Sequence, residues 1–279
     1  MGILLAGLSP HPPIIIPEIG GNRRIEAQLT IDSLKELAGE VKKEDPELLI
    51  TISPHGSVFK DVISTFAMQE LEGNFKDFGH PEVSFKVKSN PEFVMKLREN
   101  SEKVNIELLD LASERISGYN FFKKMDTQLD HGVLVPLYFL QQAGVKKPLV
   151  ALTMGLLGYR KLYDFGKVIQ ETLKEMGIKA VIIGSGDLSH RLTPGAPAGF
   201  NPRGQEFDNK LINLLKKNQF EEILNIDHSL IHKAGECGLR PIIILLGALR
   251  DLDVTTELKS YEGPFGVGYA VAGFYSEEE

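Results

Sequence analysis

The sequence predicts an α/β/α sandwich: one domain over residues 1–279, with a central mixed sheet covered by helices. Three observations predict it. Short apolar runs of strand length alternate with stretches of helical periodicity. No linker, internal repeat or composition shift divides the chain. The balance of 42% hydrophobic and 25% charged residues in 279 is that of a chain able to bury a large core, not of a disordered or fibrous one.

Residues 3–8 read as a buried strand that ends in the loop Ser9-Pro10-His11-Pro12-Pro13. Over 24–43, Ile25, Leu29, Leu34, Leu37 and Val41 recur at helical spacing. Residues 48–53 are a second apolar strand, ending in Pro54-His55-Gly56. The stretch 61–88 alternates in the manner of antiparallel strands and turns, with 82–88 the clearest part. A helix follows over 91–103, with Pro91 in the first turn, where a missing N–H costs nothing. Residues 149–153 and 180–184 are buried strands separated by a helix over 162–176. A Gly- and Pro-rich loop spans 193–204, helical segments cover 205–218, 220–226 and 241–249, and strands over 254–261 and 267–274 close the chain. The Glu277-Glu278-Glu279 tail reads as disordered. Strands alternating with helices of this length imply a sheet covered on both faces.

Bulk properties exclude several function classes. A net charge of -7 without a Lys/Arg stripe argues against nucleic acid as a partner. The N-terminal apolar run is of strand length and lacks the features of a signal peptide, and no stretch approaches the ~18 apolar residues of a membrane span. The single cysteine, Cys237, cannot form an internal disulfide, which points to a reducing cytoplasm.

Four of the seven histidines stand in distinctive loops: His11, His55, His131 in Leu129-Asp130-His131-Gly132, and His190 at the end of Gly184-Ser185-Gly186-Asp187-Leu188-Ser189-His190. Open α/β sheets present ligand-binding residues at the carboxyl ends of their strands, and His11, His55 and His190 each follow such an end. Neutral imidazole is the commonest ligand for transition metals, and the flanking prolines stiffen the loops of His11 and His55 before any metal arrives. A third ligand is expected from residues 234–241, where Glu236 and Cys237 are adjacent. A carboxylate there would complete a 2-His-1-carboxylate face with open positions. Each residue also has a structural reading: Glu236 as a helix-start carboxylate and Cys237 as a small buried hydrophobe. Asp130 and Asp187 are placed either to bond the far ring nitrogens or to cap turns. Gly184-Ser185-Gly186-Asp187 lacks the Gly-Lys-Ser/Thr ending of a phosphate loop, which removes a nucleotide site.

These blocks, together with residues 261–269, lie in order along essentially the whole chain. They resemble the catalytic B-subunit (LigB-like) family of class III extradiol ring-cleaving dioxygenases, in the branch shared with Memo-type proteins. The resemblance implies the LigB-like fold and a non-haem Fe(II) held by His11, His55 and either Glu236 or Cys237. It gives His190 the role of general acid/base and places His131 in the pocket as a second polar group. The implied reaction opens a small aromatic diol beside its hydroxyls with dioxygen. The family's ring-cleaving members carry a carboxylate where this chain has Glu236-Cys237. Aligned on Gly238, Cys237 takes the ligand position, as in Memo-like proteins, and a thiolate favours copper, zinc or a differently tuned iron. The alternative function is therefore a Memo-like metal-binding protein with a redox or partner-binding role. A homo-oligomer and a functional link to an AMMECR1-type protein are the partners the resemblance implies.

Overall fold

Among the described residues, ten strands carry the architecture: β1 (Ile3–Ser9), β2 (Leu48–Ser53), β3 (Ile63–Thr65), β4 (Glu70–Phe75), β5 (His80–Lys88), β6 (Leu108–Asp110), β7 (Leu149–Thr153), β8 (Ala180–Ser185), β9 (Val254–Glu262) and β10 (Tyr269–Ser276). A computed structural model describes residues 2–112 and 127–276; the expectation of disorder at 277–279 lies outside the described residues. Eight strands form one sheet in the order β6-β3-β7-β2-β8-β1-β10-β9, and β4 pairs with β5 in a separate hairpin. The centre, β7-β2-β8-β1, is parallel, while β3 and β10 join it antiparallel. The sheet is thus mixed, as expected.

Every residue of β2, β7 and β8 is buried. Period-two alternation divides their side chains between two cores: Leu48, Ile50 and Ile52 enter one and Leu49 the other. Helices α1 (Pro17–Gly20), α2 (Gln28–Glu44), α3 (Pro91–Glu102), α4 (His131–Gln142), α5 (Tyr159–Met176), α6 (Arg203–Lys216), α7 (Phe220–Ile223), α8 (His228–Ala234) and α9 (Leu239–Ala248) surround the sheet. The apolar residues of α3, α5, α6 and α9 build the first core, and those of α2, α4 and the β4–β5 hairpin build the second. Among the described residues no helix is long and apolar enough to cross a membrane.

Several elements differ from the expectation. The helix expected over 24–43 begins as a 3-10 helix (Gly21–Ala27) and becomes α-helical at Gln28, with Ile25 and Leu29 at 63% and 50% exposure. Ile25 lies in the 3-10 segment, before the α-helix, and at about 100° per residue Leu29 sits off the Leu34, Leu37 and Val41 stripe. Helix α4 was not anticipated, because its apolar run from Gly132 to Leu140 has no polar face and contains Pro136. The short β6 and α8 carried too little pattern to be read from sequence.

Candidate metal centre

Strand β8 lies between β1 and β2, and all three run parallel. The registers Ser9↔Ser185 and Ile52↔Gly184 bring their carboxyl ends to one edge of the sheet. His11 and His55 lie just beyond β1 and β2 at that edge. His11, only 2% exposed, is fixed from two sides: its Nδ1 is 2.9 Å from Ser185 Oγ, and its main-chain N–H donates to Asp187 Oδ1 at 2.9 Å. This leaves Nε2 to face His55, whose own Nε2 is 3.0 Å away.

Cys237 reaches the same point because its loop rests directly on the exit of β8. A Cβ on Gly186 would lie 2.2 Å from the Gly238 Cα, so only glycine permits this backbone contact. The Gly238 N–H also donates to the Asp187 carbonyl at 2.9 Å. Cys237 Sγ is then 3.6 Å from His11 Nε2, and the ligand atoms of His11, His55 and Cys237 all lie within 4.8 Å of one another. Glu236 is engaged elsewhere: its Oε2 accepts the Leu239 N–H at 2.6 Å in the first turn of α9. Of the two adjacent residues expected to supply a third ligand, the structure gathers Cys237 with the imidazoles and uses Glu236 as a helix cap.

Two more imidazoles complete the cluster. His131, the first residue of α4, stacks on His55 with centroids 4.2 Å apart and lies 5.4 Å from His11. His190 is half-buried, and its Nε2 is sealed from solvent with no hydrogen-bond partner among the described residues. Asp130 Oδ1 accepts from Ser53 Oγ at 2.6 Å and from the Gly132 N–H at 2.8 Å, which caps α4 and ties it to the end of β2. Asp130 and Asp187 therefore hydrogen-bond to hydroxyl and main-chain groups, and Asp187 Oδ2 also lies 4.0 Å from His11 Nε2. The side chain that orients the His11 ring is Ser185, which the sequence reading passed over. Its signal was a hydroxyl at the last position of a strand aligned with the strand of His11.

Burial sets the electrostatics. It holds His11 well below the ordinary histidine pKa, with the neighbouring imidazoles of His55, His131 and His190 adding to the effect. Burial and then His55 bring His131 down to about 4, and the same two causes lower His190. His55 is lowered by burial against the opposing pull of Asp130. Burial pushes Asp187 up to about 7 against the His11 N–H, and pushes the Cys237 thiol well above its ordinary value, with Asp187 adding to it. At neutral pH the imidazoles are neutral lone-pair donors and the thiol keeps its proton until a cation takes its place.

The donor set fits a transition-metal ion. Two imidazole nitrogens and one thiol sulfur are ligand types that such ions take, and His11, His55 and Cys237 would hold it. A cavity of roughly 350 Å³ adjoins His55 and His131.

Residues 5–272 match the family described as the catalytic LigB subunit of aromatic ring-opening dioxygenase. The chain is 38% identical over 264 residues to protein CA_C1420 of Clostridium acetobutylicum, covering 95% of this chain and 56% of that protein. It is 27% identical over 157 residues to the MEMO1 family protein MMP1387 of Methanococcus maripaludis, covering 50% and 51% of the two. The chain thus spans about half the length of the curated relatives it matches. The crystal structure of the uncharacterized protein JW3007 from Escherichia coli K12 has the same fold, with a TM-score of 0.61 at 15% identity over 98% of this chain and 100% of that one. The chain belongs to the LigB family of aromatic ring-opening dioxygenase subunits, in the branch related to MEMO1-family proteins.

Proposed function

We propose that the chain is a metal-dependent dioxygenase of the extradiol type that opens a small aromatic diol with dioxygen. His11, His55 and Cys237 would hold the ion, with Fe(II) the metal that suits the reaction. The observation that carries the reading is the meeting of His11 Nε2, His55 Nε2 and Cys237 Sγ within 4.8 Å, beside the His131 imidazole and a cavity. When bound, the ion would supply adjacent coordination positions for the diol oxygens and dioxygen. The chain's own residues supply proton handling and order. His190, with Nε2 unpartnered and its pKa lowered by burial, is a base at neutral pH for a substrate hydroxyl and returns that proton to the opened product. His131, which stacks on His55 and lines the cavity, offers a second neutral imidazole. Ser185 and Asp187 hold the His11 ring and main chain in place. A reducing cytoplasm suits the free thiol, and the proposal includes a homo-oligomer and a functional link to an AMMECR1-type protein.

Cys237 favours a second reading. As a soft ligand it suits zinc or copper, and the protein would then be a Memo-like metal-binding protein without ring cleavage. The test is anaerobic loading with Fe(II), followed by oxygen and a panel of catechols. The first reading expects oxygen uptake and a yellow ring-opened product. It also expects His190→Ala to keep the metal while losing roughly 10²–10⁴ in rate. No oxygen uptake with any catechol by iron-loaded, fully reduced protein would favour the second reading.

A further inference from the structure

The second, two-stranded sheet is not needed to hold the metal ligands, yet it reaches the centre. The turn joining β4 to β5 (Lys76–Phe78) carries Phe78, which at 40% exposure is a large apolar residue left uncovered. Its ring meets His131 edge to face, with centroids 5.1 Å apart at 69°. Behind it stands the fully buried Phe75, at 6.1 Å, and behind that Phe85, at 6.2 Å. The series Phe85, Phe75, Phe78, His131, His55 is therefore a continuous file of rings from the hairpin core to the candidate metal ligand.

The hairpin is also docked tightly on the segment that presents His131. The Leu129 N–H donates to the Glu72 carbonyl at 2.8 Å, and a Cβ on Gly73 would lie 2.8 Å from the Leu129 carbonyl oxygen. The cavity beside His55 and His131 is lined by Phe66, which is buried, and by Phe78. Asn74, Lys76, Asp77 and Asp130 line it as well; with two carboxyl groups to one ammonium, the lining has no excess of positive charge to receive an anionic substituent on the ring. Aromatic rings pack best offset or edge to face against other rings, and Phe66 and Phe78 present two such surfaces beside the cluster.

We propose that the β4–β5 hairpin is the specificity element of this centre, and that the cavity closed by Phe66 and Phe78 is a subsite for a single, uncharged aromatic ring, with Phe78 limiting its width. The inference rests on the proposed function for what happens to that ring, but the subsite can be tested without turnover. The chain is labelled with 4-fluorophenylalanine, the Phe78 and Phe66 fluorine signals are assigned by Phe78→Leu and Phe66→Leu, and metal-free protein is titrated with phenol. Phenol cannot chelate through two oxygens, so this reads the cavity alone. Signals of Phe78 and Phe66 should move while those of Phe93 and Phe165, buried in the opposite core, stay in place.

In iron-loaded protein, Phe78→Ala should weaken catechol binding roughly 3- to 10-fold, the worth of one ring pair. It should also strengthen binding of the two-ring 2,3-dihydroxynaphthalene, with metal content unchanged. A gain for the wider ligand cannot come from misfolding, and Phe78→Leu should fall between the two. Unmoved Phe78 and Phe66 signals, or a Phe78→Ala protein with unchanged preference between one and two rings, would overturn the proposal. Phenol binding at Phe78 together with an absence of ring opening would sink the proposed function and leave the subsite standing.

Discussion

At the residue scale the third ligand is the sharpest issue, because Glu236 and Cys237 are adjacent and differ in chemistry. Cys237 stands among the imidazoles, whereas Glu236 accepts the Leu239 N–H. Cys237→Ser should therefore lower metal content well below one ion per chain, measured by elemental analysis after gel filtration. Glu236→Gln keeps an acceptor oxygen for Leu239 and should leave metal content near that of the wild type; the reverse order would move the third ligand to Glu236. A pH prediction belongs to His131. Its folded pKa of about 4 lies below the unfolded value of about 6.5, so it contributes stability that is present above pH 6.5 and lost as the pH falls towards 4. In metal-free protein, His131→Gln should lose less of its thermal stability than the wild type between pH 6.5 and 4. Equal slopes for the two proteins would show that His131 does not stay neutral through that range.

At the element scale, Asp208 on α6 connects the loop of His190 to the edge of the sheet. Its Oδ1 accepts the Ser189 N–H at 2.9 Å and its Oδ2 accepts from Tyr261 Oη at 2.8 Å. Burial raises its pKa from 3.8 to about 6, against the pull of those two donors. The sign is opposite to that of His131: the contribution is fully present below pH 3.8 and is lost as the pH rises through 6. Asp208→Asn should remove this slope, seen as a flatter stability curve between pH 4 and 6. Asp208→Ala should leave metal content intact and lower turnover, because it frees the main chain next to His190; unchanged turnover would mean the loop is held by other contacts. None of this was legible in the sequence, since Asp208 lies in a helical stretch where acidic residues usually face water. The strands were legible, because β2 and β7 are short apolar runs with turn residues at both ends. Helix α4 was not, because apolar residues all round it erase the periodicity that marks a helix.

For the whole molecule, the sheet is what turns distant loops into one centre. Placing β8 between β1 and β2 joins His11, His55 and Ser185 across 174 positions of sequence, and the Gly186–Gly238 contact adds Cys237. The convergence of the histidines could be anticipated from strand ends and Cys237 from its place before Gly238, but the strand order could not, nor the turning of Glu236 onto the Leu239 N–H. The β4–β5 hairpin was recognised only as alternating strands, and its contact with His131 is a tertiary fact that no local pattern carries. The central claim is a single ion held by two imidazoles and one thiolate. X-ray absorption at the metal edge of the anaerobically iron-loaded protein tests it most directly. The account predicts one sulfur at about 2.3 Å with nitrogen and oxygen donors at about 2.0–2.2 Å, the sulfur shell disappearing in Cys237→Ser. A first shell of nitrogen and oxygen alone in the wild-type protein would contradict it.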